Sequence, residues 1–219
     1  ESPRTAARWE LLTLLKGASG GNAPYAEGLA AADLDGDGTT DLLAGNHWLK
    51  RNKEGHTFTP VKIADVGGRV AVGRFQPGKT PQVVIAPGDG VGPLRWYDCD
   101  GDPASSSAWH GHDLVDRPVV HGHSLQVADL DGDGHLDIFC AEMAQWHENA
   151  TKPDHPDATD WIFRGDGQGH FRTQVLATGI DFHEAQVADL DGDGDLDILD
   201  KPYTWKTPRV DVWLNQRKP

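Results

Sequence analysis

Three stretches of the chain carry carboxylates at a spacing that only a bound cation makes favourable. The first runs Asp33-Leu34-Asp35-Gly36-Asp37-Gly38-Thr39-Thr40-Asp41; the second, Asp129 to Asp137, reads DLDGDGHLD; the third, Asp189 to Asp197, reads DLDGDGDLD. Positions 1, 3, 5 and 9 are Asp33, Asp35, Asp37 and Asp41 in the first copy, Asp129, Asp131, Asp133 and Asp137 in the second, and Asp189, Asp191, Asp193 and Asp197 in the third. Alternating carboxylates repel one another unless a cation sits among them, and hard oxygen ligands at this spacing suit Ca²⁺. The position-7 carbonyls of Thr39, His135 and Asp195 are the expected further ligands. Gly38, Gly134 and Gly194 at position 6 allow the sharp turn that a Cβ would hinder.

An EF-hand would need a bidentate Glu at position 12 and a helix on each side. Position 12 here is Ala44, Cys140 and Asp200, and the flanks (Leu29-Ala30-Ala31-Ala32 and Leu42-Leu43-Ala44 in the first copy) are strand-length apolar runs without helical period. Each loop therefore joins two strands. Strand, DxDxDGxxD, strand resembles the FG-GAP or VCBS repeat of integrin alpha-subunit propellers and many bacterial secreted proteins. The resemblance runs over nearly the whole chain and implies a β-propeller with Ca²⁺ at the three loops, in a secreted, periplasmic or cell-surface protein.

The first two loops are 96 residues apart and the last two 60, so the first gap has room for a hidden repeat. Arg69-Val70-Ala71-Val72-Gly73-Arg74-Phe75 and Pro81-Gln82-Val83-Val84-Ile85-Ala86 supply its two strands, with no ligands between them. Inner strands thus start near residues 28, 69, 124 and 184. Outer strands are marked by an aromatic and an aliphatic five residues apart: Phe58 and Ile63, Trp109 and Leu114, Phe171 and Leu176, and, before any inner strand, Trp9 and Leu14. The expected fold is all-β, a four-bladed β-propeller with blades at 28–66, 67–117, 122–179 and 182–217 plus 8–16. The N-terminal strand supplies the partner that Val210 to Leu214 lacks and closes the ring. Two other arrangements stay open, a piece of a larger ring and a dimer sharing one. A monomer or a homodimer is expected.

Six residues before the first loop Asp, or its counterpart in the second repeat, lie Glu27, Gly67, His123 and His183. Equivalent positions of a ring converge on its axis, and two His with one Glu there would make a two-His-one-carboxylate site for zinc or another divalent transition metal. Tyr25, His121 and Asp181 lie two residues further back, and Glu184 one residue forward in the last blade. The loops after the second strands bring His47, Trp48, Glu142, Trp146, Lys201, Tyr203 and Trp205 to the same face. Trp48, Trp146 and Trp205 offer flat surfaces for sugar rings, joined by Tyr25, His47, Glu142 and Glu184 as substrate-binding groups; His121, Tyr203 and Lys201 are the candidate acid and base.

A His-rich, metal-binding central face makes the chain similar to propeller-type polysaccharide lyases and to the propeller domain of aldos-2-ulose dehydratase. That resemblance implies a metal-dependent carbon–oxygen lyase or dehydratase acting on a sugar or polysaccharide. The alternative is a lectin-like or adhesion propeller that grips glycan or protein without catalysis.

Of the 34 acidic residues, 13 lie in the three loops, and three bound Ca²⁺ would bring the formal charge from −14 to −8. Acidity of this kind argues against a nucleic-acid partner, whose phosphates need a basic surface. No apolar run approaches the ~20 residues that span a bilayer. Cys99 and Cys140 are read as free thiols.

Overall fold

In a computed structural model the described residues are 11–15, 27–54, 56–78, 80–203 and 209–216. The architecture is a four-bladed β-propeller. The first blade is β1 (Leu29–Ala32), β2 (Asp41–Ala44), β3 (His47–Arg51) and β4 (Phe58–Lys62), paired antiparallel in that order. The second takes β5 (Arg69–Gly73), β6 (Gln82–Ala86), β8 (Arg95–Cys99) and β9 (Trp109–Asp113), with the two-residue β7 (Val91–Gly92) pairing outside the blade with β10 (Val119–Val120). The third is β11 (Ser124–Ala128), β12 (Asp137–Ala141), β13 (Thr159–Gly165) and β14 (Phe171–Thr178). The fourth has β15 (Glu184–Ala188), β16 (Asp197–Lys201) and β17 (Asp211–Trp213).

Of the expected closing strand at 8–16, residues 8–10 and 16 lie outside the described residues. Its described part, 11–15, takes no place in a strand, and among the described residues β17 pairs only with β16. Val210, Val212 and Leu214 stay exposed along that edge. The Gly165–Gly169 run is the hairpin turn between β13 and β14, and the only helix among the described residues is one 3₁₀ turn, Ser106–Ala108. Cys99 and Cys140 are both free.

Successive side chains point to opposite faces, and β6 and β12 are buried along their whole length, so the core is divided among the blade interfaces. Leu43 and Trp48 of the first blade pack on Val83, Ile85 and Tyr97 of the second. Val84, Leu94 and Trp96 pack on Ile138, Cys140 and Phe163 of the third. Phe139 and Ile162 pack on Phe182, Ala185 and Ile198 of the fourth.

Register aligns the four repeats. Ala32 pairs with Asp41, Gly73 with Gln82, Ala128 with Asp137 and Ala188 with Asp197. The loop counterpart of Asp33 in the second blade is therefore Arg74, one residue later than the sequence alignment put it, and buried Phe75 takes the place of Leu34 and Leu130. The position six residues back is Gly68, not Gly67. The next position around the ring reads Gly28, Arg69, Ser124 and Glu184. Gly28 is obligatory for a steric reason: its N–H donates to Gly68 O (2.9 Å), and a Cβ there would lie 2.2 Å from Val70 N. Gly28→Ala should force the first two blades apart, and a lowered melting temperature measures it.

Candidate functional site

The three Asp loops share one construction. The position-1 carboxylate folds the loop over itself: Asp33 accepts from the N–H groups of Gly36, Asp37 and Gly38 at 2.8–3.1 Å, and Asp129 and Asp189 also accept from their own loops. The position-9 carboxylate is buried and ties the loop to the next strands. Asp41 accepts from Leu34 N and Arg51 N, Asp137 from Leu130 N and Gly165 N, and Asp197 from Leu190 N and Asn215 N. In the second blade Gln82 does the same work with its amide oxygen, accepting from Phe75 N and Gln76 N. The loop geometry thus survives where the acidic ligands are gone.

Oxygens close enough to share an ion come from Asp33, Asp35 and Asp37 in the first loop, from Asp129, Asp131 and Asp137 in the second, and from Asp189, Asp191 and Asp197 in the third. Asp41, Asp133 and Asp193 stand outside these groups; the carboxylates of Asp133 and Asp193 accept from the N–H of His135 and Asp195, and Asp37 accepts from Thr39 in the same way. An all-carboxylate oxygen set fits Ca²⁺. Basic side chains lie against two of the loops: Lys50 on Asp35, and Arg164 2.9 Å from Asp131.

At the other end of the inner strands, four blades meet at Arg69. Its Nη2 donates to Glu184 Oε1 of the fourth blade (2.7 Å) and lies 2.8 and 3.2 Å from the ring nitrogens of His123 of the third, while its Nε is 3.9 Å from Glu27 Oε2 of the first. His123 Nδ1 stands 2.6 Å from the carbonyl oxygen of His183 and 2.8 Å from Arg69 Nη2: it donates to the carbonyl in the tautomer that protonates it and accepts from Arg69 in the other. With the proton on Nδ1 the lone pair is on Nε2, which lies 3.2 Å from Arg69 Nη2 and faces Glu27 Oε2 and Asp89 Oδ1, each at 3.4 Å. In that tautomer the Arg69 guanidinium supplies the positive charge that a lone pair beside two carboxylates calls for. An imidazole whose Nδ1–H is held by a backbone carbonyl and whose Nε2 looks at carboxylates is oriented as metal-ligating histidines are.

Glu27, Asp89 and His123 bring ligand atoms to one point, and His123, His183 and Glu184 to a second beside it. Glu27, His123 and His183 do not form a single group. His183 stacks on His123 instead, centroids 4.6 Å apart, with Tyr203 edge-on to it at 5.1 Å. Burial and then the neighbouring His123 lower the His183 pKa, which favours neutral imidazole. Among the described residues, His183 Nδ1, Glu27 Oε2 and Arg69 Nε are buried without a hydrogen-bond partner.

Asp89 and Arg69 are the two residues the sequence reading missed. Asp89 lies on the turn after β6, the counterpart of the loops that supplied His47, Glu142 and Lys201. The preceding Gly88 has φ +59°, and a Cβ there would stand 2.9 Å from Glu27 Oε2, so the turn leaves room for that carboxylate. His121 also has a positive φ, +51°, and its Nδ1 lies 2.8 Å from the carbonyl oxygen of Asp89, with Nε2 3.3 Å from Asp154 Oδ2. It ties the Asp89 turn to the long loop between β12 and β13, an insertion of the third blade that carries Asp154 and His155.

Two of the expected substrate contacts need correction. Trp48 is 0 % exposed, packed against the second blade, because its place in β3 turns it into the blade interface. Glu142 is also 0 % exposed: it takes two bonds from Arg117 (2.9 Å each), one each from the N–H of Val120 and Thr159, and a contact at 3.0 Å from His155 Nε2. Neither can touch a sugar. Trp146 and His47 are half-buried, while Lys201 and Glu184 are exposed. Tyr25 and Trp205 lie outside the described residues.

Residues 129–199 match the FG-GAP-like repeat and residues 25–56 match the FG-GAP repeat. The chain is a β-propeller of FG-GAP repeats. The two matches take in the three Asp loops, and the second blade of this FG-GAP propeller lies outside both. No curated protein matches the sequence. Among the described residues no helix is long and apolar enough to cross a membrane.

Proposed function

We propose that this FG-GAP propeller holds Ca²⁺ in its three Asp loops and acts at its axis as a metal-assisted carbon–oxygen lyase on an acidic sugar or polysaccharide. One observation carries the reading: side chains from all four blades converge on Arg69, and beside it Glu27, Asp89 and His123 Nε2 bring their ligand atoms together. A nitrogen and two carboxylates, with His123 fixed by a carbonyl, form a donor set that fits a zinc-type ion.

An ion held there would polarise the carbonyl or carboxylate beside the bond that breaks. The chain's own residues do the rest. Arg69 presents a permanent positive charge to the substrate carboxylate. His183, favoured in its neutral form, takes the proton from the carbon next to that carboxylate. The electron pair left behind forms the carbon–carbon double bond as the neighbouring C–O bond breaks, and the departing oxygen receives a proton from the Tyr203 hydroxyl or the exposed Lys201.

Zinc loading in saturating Ca²⁺, read by elemental counting, tests the site. The wild-type chain should hold one zinc beyond its calcium and release an unsaturated product from a uronate-containing polysaccharide. His123→Ala should lose both the zinc and the product while keeping its calcium. A wild-type chain that takes up no zinc would sink the lyase reading. A specific observation favours a binding module in that case: Arg69 already supplies positive charge to Glu27, His123 and Glu184, so the cluster holds together without an ion and leaves a polar face for gripping a neutral glycan without chemistry.

A further inference from the structure

The interface between the third and fourth blades buries charge where the other blades bury carbon. Register places Asp200 of β16 at the position held by Ala44 in β2, Ile85 in β6 and Cys140 in β12. Asp160, at a bulge in β13, is the counterpart of Leu94 beside β8, a core residue of the second interface. Asp160 is 0 % and Asp200 1 % exposed. All four of their carboxylate oxygens are buried with no hydrogen-bond donor among the described residues, a combination that strongly disfavours two bare negative charges. Asp181 adds a third negative charge, although its Oδ2 is occupied by Tyr203 N at 2.7 Å. Arg209, the basic group whose charge reaches Asp200, is paired 2.8 Å from Asp211.

We propose that Asp160 and Asp200 clamp a hard, oxygen-seeking cation of the calcium class between the third and fourth blades. The site is separate from the Asp loops and from the axial cluster, and it does not depend on the lyase reading. Oxygen is the only donor type the pair offers, which excludes soft metals and suits Ca²⁺ or Mg²⁺. Burial, followed by the charge of Asp200, pushes Asp160 up to about 9, and burial followed by Asp181 pushes Asp200 up to about 8. A bare pair would thus give up its charge at neutral pH, and a cation is what keeps both groups ionised there. The bound ion would take the place of the apolar packing that joins the earlier blades at this level.

Equilibrium dialysis of the whole chain against Ca²⁺, with wild type beside Asp160→Asn/Asp200→Asn, counts the site. The double variant should hold one calcium fewer per chain and should gain less in melting temperature from Ca²⁺. Equal calcium content in the two proteins would overturn the proposal. If the variant does not fold, the infrared spectrum of the calcium-loaded wild type at neutral pH decides: ionised carboxylates leave no protonated carboxylic-acid band, and a persistent band means that protons occupy the site, which overturns it as well.

Discussion

Stripping divalent cations with a chelator should lower the melting temperature of this propeller by roughly 15–30 °C. Binding to the native state alone contributes about 2.7 kcal/mol per site at a hundredfold excess over Kd, or about 8 kcal/mol for three loops. For a domain of this size each kcal/mol moves the midpoint by about 2–4 °C. The loss matches the whole stability of many domains, so the calcium-free chain should be partly unfolded at ambient temperature. The loops should not respond equally. Lys50 and Arg164 sit on Asp35 and Asp131 and compete with an ion in the first two. Asp189, Asp191 and Asp193 of the third pair with no basic side chain among the described residues, so that loop should bind most tightly, and Asp189→Ala should cost more than Asp33→Ala. Thermal melts in calcium and in chelator check both points. A midpoint that chelation leaves unchanged would remove calcium from the account of stability.

Much of this architecture is legible in the residues, because a DxDxDGxxD loop between two short apolar runs fixes both the turn and the strands. What escaped did so for identifiable reasons. The second repeat carries Arg74, Gln76 and Gly78 where the others carry Asp33, Asp35 and Asp37, so its alignment rested on apolar runs alone and slipped by one residue. That slip hid Arg69, the cation around which the axial side chains gather. Trp48 and Glu142 lie close in sequence to the open face, yet strand alternation turns one into an interface and a set of five contacts draws the other inside. Local sequence does not report such burial, since it depends on which neighbouring blade faces the residue. Asp200 reads as part of an acidic strand end; only the register shows that it occupies a core position.

Replacing Glu142 should be among the most damaging single changes outside the loops. The carboxylate joins Arg117 and the N–H of Val120, which precede β11, to Thr159 N at the start of β13 and to His155 in the insertion. Glu142→Ala would leave those donors unsatisfied around a cavity. The expected cost is about 3 kcal/mol, the lower end for breaking a buried ion pair, because the Arg117 side chain is 40 % exposed and keeps part of its hydration. Glu142→Gln would keep the shape and lose the charge, at a smaller cost. A pH dependence separates the two effects. Burial by itself raises the Glu142 pKa, but the bonds from Arg117, Val120, His155 and Thr159 outweigh it and hold the group below its ordinary value. A carboxylate depressed in the folded state contributes stability that is present above its unfolded pKa, near 4.3, and is lost as pH falls through the folded value. Wild type should therefore lose more stability than Glu142→Gln between pH 5 and the acid limit of folding (values about the free-Glu range). Parallel acid-melting curves for the two proteins would mean that the Arg117–Glu142 pair carries no net charge-dependent stability.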